Sequence, residues 1–460
     1  MNWDKLLSDE RYKKKKAGTE VRNAFHKDYD RIVFSASFRR LARKTQVHPL
    51  TKNDHLHNRL THSIEVGSVG RSLALNVYHK LKSNNSVQLP QNIEADHFAS
   101  IVQAACMAHD IGNPPFGHAG EFAIREWFKE NKNILQYSDD KTKILSDKQV
   151  TDFTTFEGNA QGIRLLSKVE NHYQEGGLRL TYATIAAIVK YPWFSKHRDA
   201  QKKGKFNFFD SESSFYNDVA NKLGIEAIEH DEDGNPTRWC RHPLSYLMEA
   251  ADDICNTIID IEDAVEINRI PLKNAINIFR GICKEKETHN DHLTDNDLIK
   301  YRAKAIDKLV MYCADEFQNN YPGIMSGAYN GNLFETVKEN YANSNDENKL
   351  VFQGLNDAKK ITTSKIFNDR RKIELEVGSY STIRVILSSL IPAIKEYVNN
   401  DCNINNITFK EKRLLNLLGD NLPSGSISFY DAYMLIIDFV SGMTDNYATF
   451  IAQQINGSAQ

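Results

Sequence analysis

The chain has 460 residues, 41% of them hydrophobic, with 58 basic and 60 acidic side chains and a net charge of -2. A chain of this length can bury a large core, and so balanced a charge excludes a protein that binds polyanions by bulk charge alone. Length alone predicts two or three domains, but helical patterns run throughout and no Pro/Gly/Ser-rich linker interrupts them, so one compact all-α body with lobes is expected. The N-terminus MNWDKLLSDE lacks an apolar signal core, and no apolar run of about 18 residues is read for a membrane span. The cysteines Cys106, Cys240, Cys255, Cys283, Cys313 and Cys402 show no CxxC pair. A soluble cytoplasmic protein with reduced thiols and no membrane partner is therefore expected.

Along the chain, the first feature is a basic stretch: between Arg11 and Lys44 there are twelve Lys or Arg against three acids, including the run Lys13 to Lys16. Such a patch is either a solvated face or a contact for nucleotides, nucleic acid included. His48, His55 and His57 then cluster in a polar loop and are read as solvated, a second metal site being the alternative. His62 opens a segment in which Val66, Val69, Leu73 and Val77 recur at steps of three and four, predicting a helix with one buried stripe and a histidine in its first turn. Ala99 to Ala108 is small and apolar almost all round, as a helix buried in a bundle is. His109 and Asp110 end it, and Gly112, Pro114 and Pro115 stop it, because Pro lacks the N–H and fixes φ while Gly permits the turn. Gly117, His118 and Glu121 follow.

Asn131 to Thr151, Ser195 to Ser214 and Glu229 to Arg241 are polar and are expected to be irregular. Leu247, Ala251, Ile254, Ile258, Ile261 and Val265 define the clearest helical seam. At about 100° per residue, Asp252, Asn256 and Asp260 fall within roughly 80° of one another beside it, a polar row that needs partners. Farther on, Ile383, Ile386, Leu387, Leu390, Ile391 and Ile394 form a wide apolar stripe and Ala432 to Phe439 another, each read as intramolecular core or as subunit interface. Arg370 and Arg371 stand ready to reach a phosphate. There is no GxxxxGK[ST], so a P-loop site is not expected.

His62, His109, Asp110 and Asp252 offer two imidazoles and two carboxylates, a set that suits a divalent ion. A metal-dependent hydrolase is the reading these residues suggest. Isolated histidines and aspartates in helical proteins also serve as satisfied structural residues, and residue chemistry alone leaves both readings open.

The blocks RIVFSASFRRLARKTQV, RLTHSIEVGSVGR, AHDIGNPPFGHAGE, FEGNAQGIRLL, VKYP and LSYLMEAADDI, in that order, closely resemble the bacterial dGTPase-type deoxynucleoside triphosphate triphosphohydrolases of the HD superfamily. The resemblance runs from Asp30 to Asp263. It implies an HD-domain helical bundle with additional C-terminal helices: an N-terminal arm and phosphohydrolase core over 1–270 and a helical part packed on it over 271–460. It also implies that His62, His109, Asp110 and Asp252 bind the metal, with Asp253 the lesser choice in the doublet. His118 and Glu121 match the catalytic pair, and Glu121, three residues on, would share a helix face with His118 and orient it. A first-turn acid favoured by the helix dipole is the structural alternative for Glu121. Gln46 and Asp260 match positions that contact the 3′-hydroxyl, and Arg59, Lys190 and Tyr191 positions that hold the triphosphate. Asn256 departs from the pattern, which usually has Tyr there to pack against the sugar.

The implied activity is hydrolysis of a dNTP, dGTP included, to deoxynucleoside and inorganic triphosphate. The implied cofactor is a divalent metal ion, Mn or Mg first and Fe, Ni, Co or Zn as alternatives. A homo-oligomer, hexamer or tetramer, is implied, with a second nucleotide as an allosteric activator and nucleic acid as a weaker partner. Two rival functions stand beside it: an HD phosphohydrolase of another nucleotide phosphoester, and a nucleotide-sensing or nucleic-acid-binding protein without turnover.

Overall fold

The computed structural model describes residues 1–12, 22–46, 56–84, 87–137, 144–171, 175–288, 292–344, 347–423 and 425–458, the side chain of Arg371 excepted. Lys13 to Lys16, His48 and His55 lie outside them. The fold is all-α, with a single antiparallel hairpin, Ala227–His230 with Pro236–Trp239, among the described residues.

Two hydrophobic cores organise the helices, and they interleave along the chain. The first is built around the Arg59–Ser83 helix, which packs on Ala95–Ala108, Pro243–Glu266 and Asp295–Asn319. The predicted stripe is its inner face: Val66 and Leu73 are fully buried, with Val69 and Val77 nearly so. The helix 59–83 crosses its neighbour closely because Gly70 has no side chain: a Cβ there would lie 2.4 Å from Cys106 Sγ. That crossing sets the start of one helix beside the end of the other, which brings His62 to His109. Gly112 does the same for the turn after Asp110, since its Cβ would fall 2.1 Å from the Gly162 backbone nitrogen.

The second core joins His118–Glu130 and Asp147–Thr154 to the C-terminal helices Arg370–Asn399, Phe429–Ser441 and Asp445–Ile455. Ile383, Ile386, Leu387, Leu390, Ile391 and Ile394 are completely buried in it. One expectation is corrected here. The stretch Lys372–Asn399 is long and apolar enough, by length and composition, to cross a membrane. Its apolar stripe is instead buried in this core, as that of a core helix is.

The polar stretches are less irregular than their composition suggests. Ser195 to Ser214 contains the helix Arg198–Lys203, capped by His197. Asp231 accepts from the N–H groups of Asp233 and Asn235 and closes the hairpin turn. Its strands are only four residues long, too short for a period of two to stand out in the sequence.

Candidate active site

Asn58 caps the helix that carries His62. Its side chain accepts from Leu60 and Thr61, and its own N–H donates to the Thr61 hydroxyl, a reciprocal cap that places His62 in the first turn, 1% exposed. His109 stands at the C-terminal end of Ala95–Ala108. Its Nδ1 lies 2.6 Å from the Cys106 carbonyl, and because a carbonyl only accepts, Nδ1 carries a proton and Nε2 is the nitrogen turned toward the carboxylates. Asp252 comes from the Pro243–Glu266 helix. Its Oδ1 lies 3.1 Å from His62 Nε2 and 3.4 Å from His109 Nε2. The donor atoms of His62, His109 and Asp252 all fall within 4.8 Å of one another.

Asp110 lies beside this trio, with Oδ1 3.6 Å from His109 Nε2. It pairs with the Arg59 guanidinium, and Oδ1 accepts from Asn113 Nδ2 at 2.5 Å. Burial disfavours both carboxylates, but Arg59, His109 and His62 hold Asp110 well below the usual range, and the two imidazoles do the same for Asp252. Burial would likewise lower His109, yet Asp110 and Asp252 outweigh it and raise it to about 9. The cluster thus demands positive charge, which the His109 proton supplies here, and imidazoles beside buried, ionised carboxylates are a donor set in which a divalent cation would replace that proton.

His118 begins the His118–Glu130 helix and projects outward, its side chain 68% exposed. Glu121, one turn on, is buried. Its Oε2 lies 2.8 Å from His118 Nδ1 and 3.6 Å from Lys205 Nζ, while Oε1 accepts from the Gly158 N–H at 2.8 Å. Burial would raise this carboxyl, but His118, Lys205 and Arg125 hold it down to about 2. The ionised Glu121 therefore accepts from Nδ1 and leaves His118 Nε2 facing outward.

Lys190 is half-buried, 3.4 Å from Glu249, which also pairs with Arg241 at 2.8 Å. Burial disfavours the Lys190 ammonium, but Glu249 and neighbouring groups hold its pKa well above the ordinary value. Asn207 accepts from the N–H groups of Lys190 and Tyr191 and fixes that turn. Gln46 donates to Asn256 at 3.3 Å, and Asn256 donates to Asp252 at 2.8 Å, so Asn256 links Gln46 to the trio of His62, His109 and Asp252. Asp260 is buried, raised to about 7 by burial and by Asp263, with Thr362 opposing. It borders a cavity of about 340 Å³ shared with Asp253, Asn256, Phe334, Lys338 and Thr362. A larger cavity, about 860 Å³, lies elsewhere, between Leu165–Val169 and the C-terminal helices.

Some expected residues are placed differently. His57 is not solvated: its Nδ1 lies 2.7 Å from Asp263 and Nε2 3.4 Å from Glu65, and these acids overcome burial to raise it to about 10. Arg370 is exposed and pairs with Glu374, outside the site. Sequence reasoning passed over Asn113, Glu157, Lys205, Asn207, Arg241 and Glu249. Asn113 stood inside a motif already singled out. Lys205 had no signal, because it sits in a polar stretch and reaches Glu157 at 2.6 Å only through the fold.

This helical bundle, with its paired histidines and aspartates, is that of an HD-domain protein, and the HD domain family matches residues 59–187. Similarity extends well beyond that segment. A deoxyguanosinetriphosphate triphosphohydrolase-like protein of Pseudomonas aeruginosa is 41% identical over 468 residues, covering 99% of each chain. A Listeria monocytogenes protein of the same name is 34% identical, covering 99% of this chain and 100% of the relative. The deoxyguanosinetriphosphate triphosphohydrolase of Yersinia pestis is 31% identical, covering 93% of each. The chain belongs to the deoxyguanosinetriphosphate triphosphohydrolase-like family of HD-domain proteins.

Proposed function

We propose that this protein is a metal-dependent deoxynucleoside triphosphate triphosphohydrolase that releases deoxynucleoside and inorganic triphosphate, with dGTP among its substrates. The observation that carries the reading is the convergence of His62, His109 and Asp252, with Asp110 alongside, in a chain whose full-length relatives are named deoxyguanosinetriphosphate triphosphohydrolase-like proteins. His62, His109, Asp110 and Asp252 would hold a divalent ion, Mn or Mg by preference, with Fe, Ni, Co and Zn chemically admissible. Bound there, it would polarise an α-phosphate oxygen and lower the pKa of a water.

The remaining steps belong to side chains. Arg59 holds Asp110 through one N–H edge, and its Nε has no hydrogen-bond partner among the described residues, so it keeps a donor for phosphate. Lys190, whose turn also carries Tyr191, supplies a second cation for the triphosphate. Gln46 Oε1, buried and without a partner among the described residues, and Asp260 are offered to the deoxyribose hydroxyl. His118 exchanges the reaction's proton at Nε2, while Glu121 fixes its tautomer.

Residues 1–270 are read as the arm and phosphohydrolase core and 271–460 as helices packed on it. A homo-oligomer is part of the reading, supported by the exposed Phe122, Phe367, Ile373 and Val377. A cytoplasmic setting is supported by free thiols at all six cysteines. A second nucleotide as activator is tested by the same assay. Purified protein is incubated with the four dNTPs, singly and mixed, in Mn2+ or Mg2+, and products are separated by chromatography. Deoxynucleoside and triphosphate are expected, and activity confined to mixtures would identify an activator. Release of nucleoside monophosphate, or of nothing under any condition, would overturn the proposal in favour of another phosphoester or a sensor.

A further inference from the structure

The loop that follows Asp110 is gripped from outside the matched HD segment. Lys44 is 2% exposed, and its Nζ donates to two main-chain carbonyls, Asn113 at 2.6 Å and Ser441 at 2.7 Å. Ser441 is the last residue of the Phe429–Ser441 helix. One buried amino group therefore ties together the segment leading to His62, the loop after Asp110 and the C-terminal helices. Asp445, at the start of the next helix, is equally buried and completes the connection. Its Oδ1 accepts from the Phe116 N–H at 2.9 Å, and its Oδ2 accepts from the Thr45 N–H at 3.0 Å and the Thr45 hydroxyl at 2.5 Å.

The grip reaches the carboxylate. Asn113, whose carbonyl Lys44 holds, donates its side-chain amide to Asp110 Oδ1. Between the two gripped points, Asn113 O and Phe116 N, stand Pro114 and Pro115. Their locked φ angles make the span a strut, so displacement of either end moves the other. Each buried polar group is satisfied only when all three segments are in register, because an unpaired donor or acceptor inside a protein is costly.

We propose that Lys44 and Asp445 are positioning residues, a clamp through which the C-terminal helices set the Asp110 loop in its metal-binding position. The proposal rests on the reading of the site as a metal centre. It makes the C-terminal helices part of the active-site architecture.

The test uses the full chain and three variants. Asp445→Asn keeps size and one acceptor but presents an amide to a donor, Lys44→Met removes the amino group, and Ile437→Val lightens the same C-terminal core without touching the clamp. Mn2+ affinity of the metal-stripped protein is measured by calorimetry, and hydrogen exchange is followed in the peptide spanning 110–117. Asp445→Asn is expected to weaken Mn2+ binding by roughly 10–100-fold, the usual effect of losing a group that orients a ligand, and to speed exchange at Phe116. Lys44→Met should do the same where it folds, and Ile437→Val should lower the melting temperature while leaving both readouts alone. Unchanged affinity and exchange in folded Asp445→Asn would overturn the clamp, as would equal losses in Ile437→Val. Absence of Mn2+ binding by the wild type would strike at the metal reading instead. Exchange alone would then decide, with faster exchange in Asp445→Asn than in Ile437→Val supporting the clamp and equal rates refuting it.

Discussion

The His118–Glu121 pair supports a sharp prediction for Glu121→Gln. In the native arrangement the ionised carboxylate accepts from His118 Nδ1 through Oε2 and from the Gly158 N–H through Oε1. A glutamine keeps the second bond with its amide oxygen, so its NH2 must face Nδ1, donor against donor. The imidazole escapes by placing its proton on Nε2, the outward atom that is to exchange a proton with the reactants. Loss of correctly poised acid–base catalysis costs roughly 10²–10⁴-fold in rate, which corresponds to about 3–5 kcal/mol of barrier. The substitution should leave metal affinity intact, because Glu121 contacts none of His62, His109 or Asp252. It should leave Lys205 paired, since Glu157 holds that ammonium at 2.6 Å. Single-turnover product formation and Mn2+ calorimetry would be compared for Glu121→Gln, His118→Ala and the double variant. If the residues act as a unit, the double variant is no slower than the worse single one. Single losses that multiply in the double variant, or near-native turnover in Glu121→Gln, would refute the reasoning.

Three further outcomes are expected. Asp110→Ala should lose metal and turnover together, and turnover surviving in a metal-free preparation would refute the metal mechanism. Asp260 has its folded pKa raised from 3.8 to about 7, so the folded state keeps a proton that the unfolded chain has lost, and its contribution to stability falls as pH rises through that window. Asp260→Asn should therefore narrow the difference in urea midpoint between pH 5 and pH 8, whereas an unchanged difference would show that Asp260 is ionised throughout. Gly70→Ala should destabilise by about 1–3 kcal/mol, because its Cβ would press on Cys106 Sγ in a packed crossing, and a melting temperature equal to wild type would show that the helices part without cost.

Much of this site was legible because its parts are local. The three-and-four spacing from His62 to Val77 describes a buried helix face by itself, and the apolar run ending in His109 before a Gly/Pro break marks a helix end facing inward. His118 and Glu121 share a face because they are three residues apart in one helix. The polar stretch around Asp231 was misread because a hairpin of four-residue strands carries no period long enough to detect. His57 was misread as solvated because its acids, Glu65 and Asp263, are spread along the chain.

By itself, then, the sequence determined the helical class, the buried faces and the residue types able to carry the chemistry, since each follows from spacing along a short stretch of chain. Only the tertiary structure decided which of those residues meet. Arg59 with Asp110, Gln46 with Asn256, Lys205 with Glu121, and Asp445 with Phe116 join positions dozens to hundreds of residues apart. No local preference encodes such pairs, because their energy exists only once helices cross closely enough to exclude water and force every buried charge to find a partner.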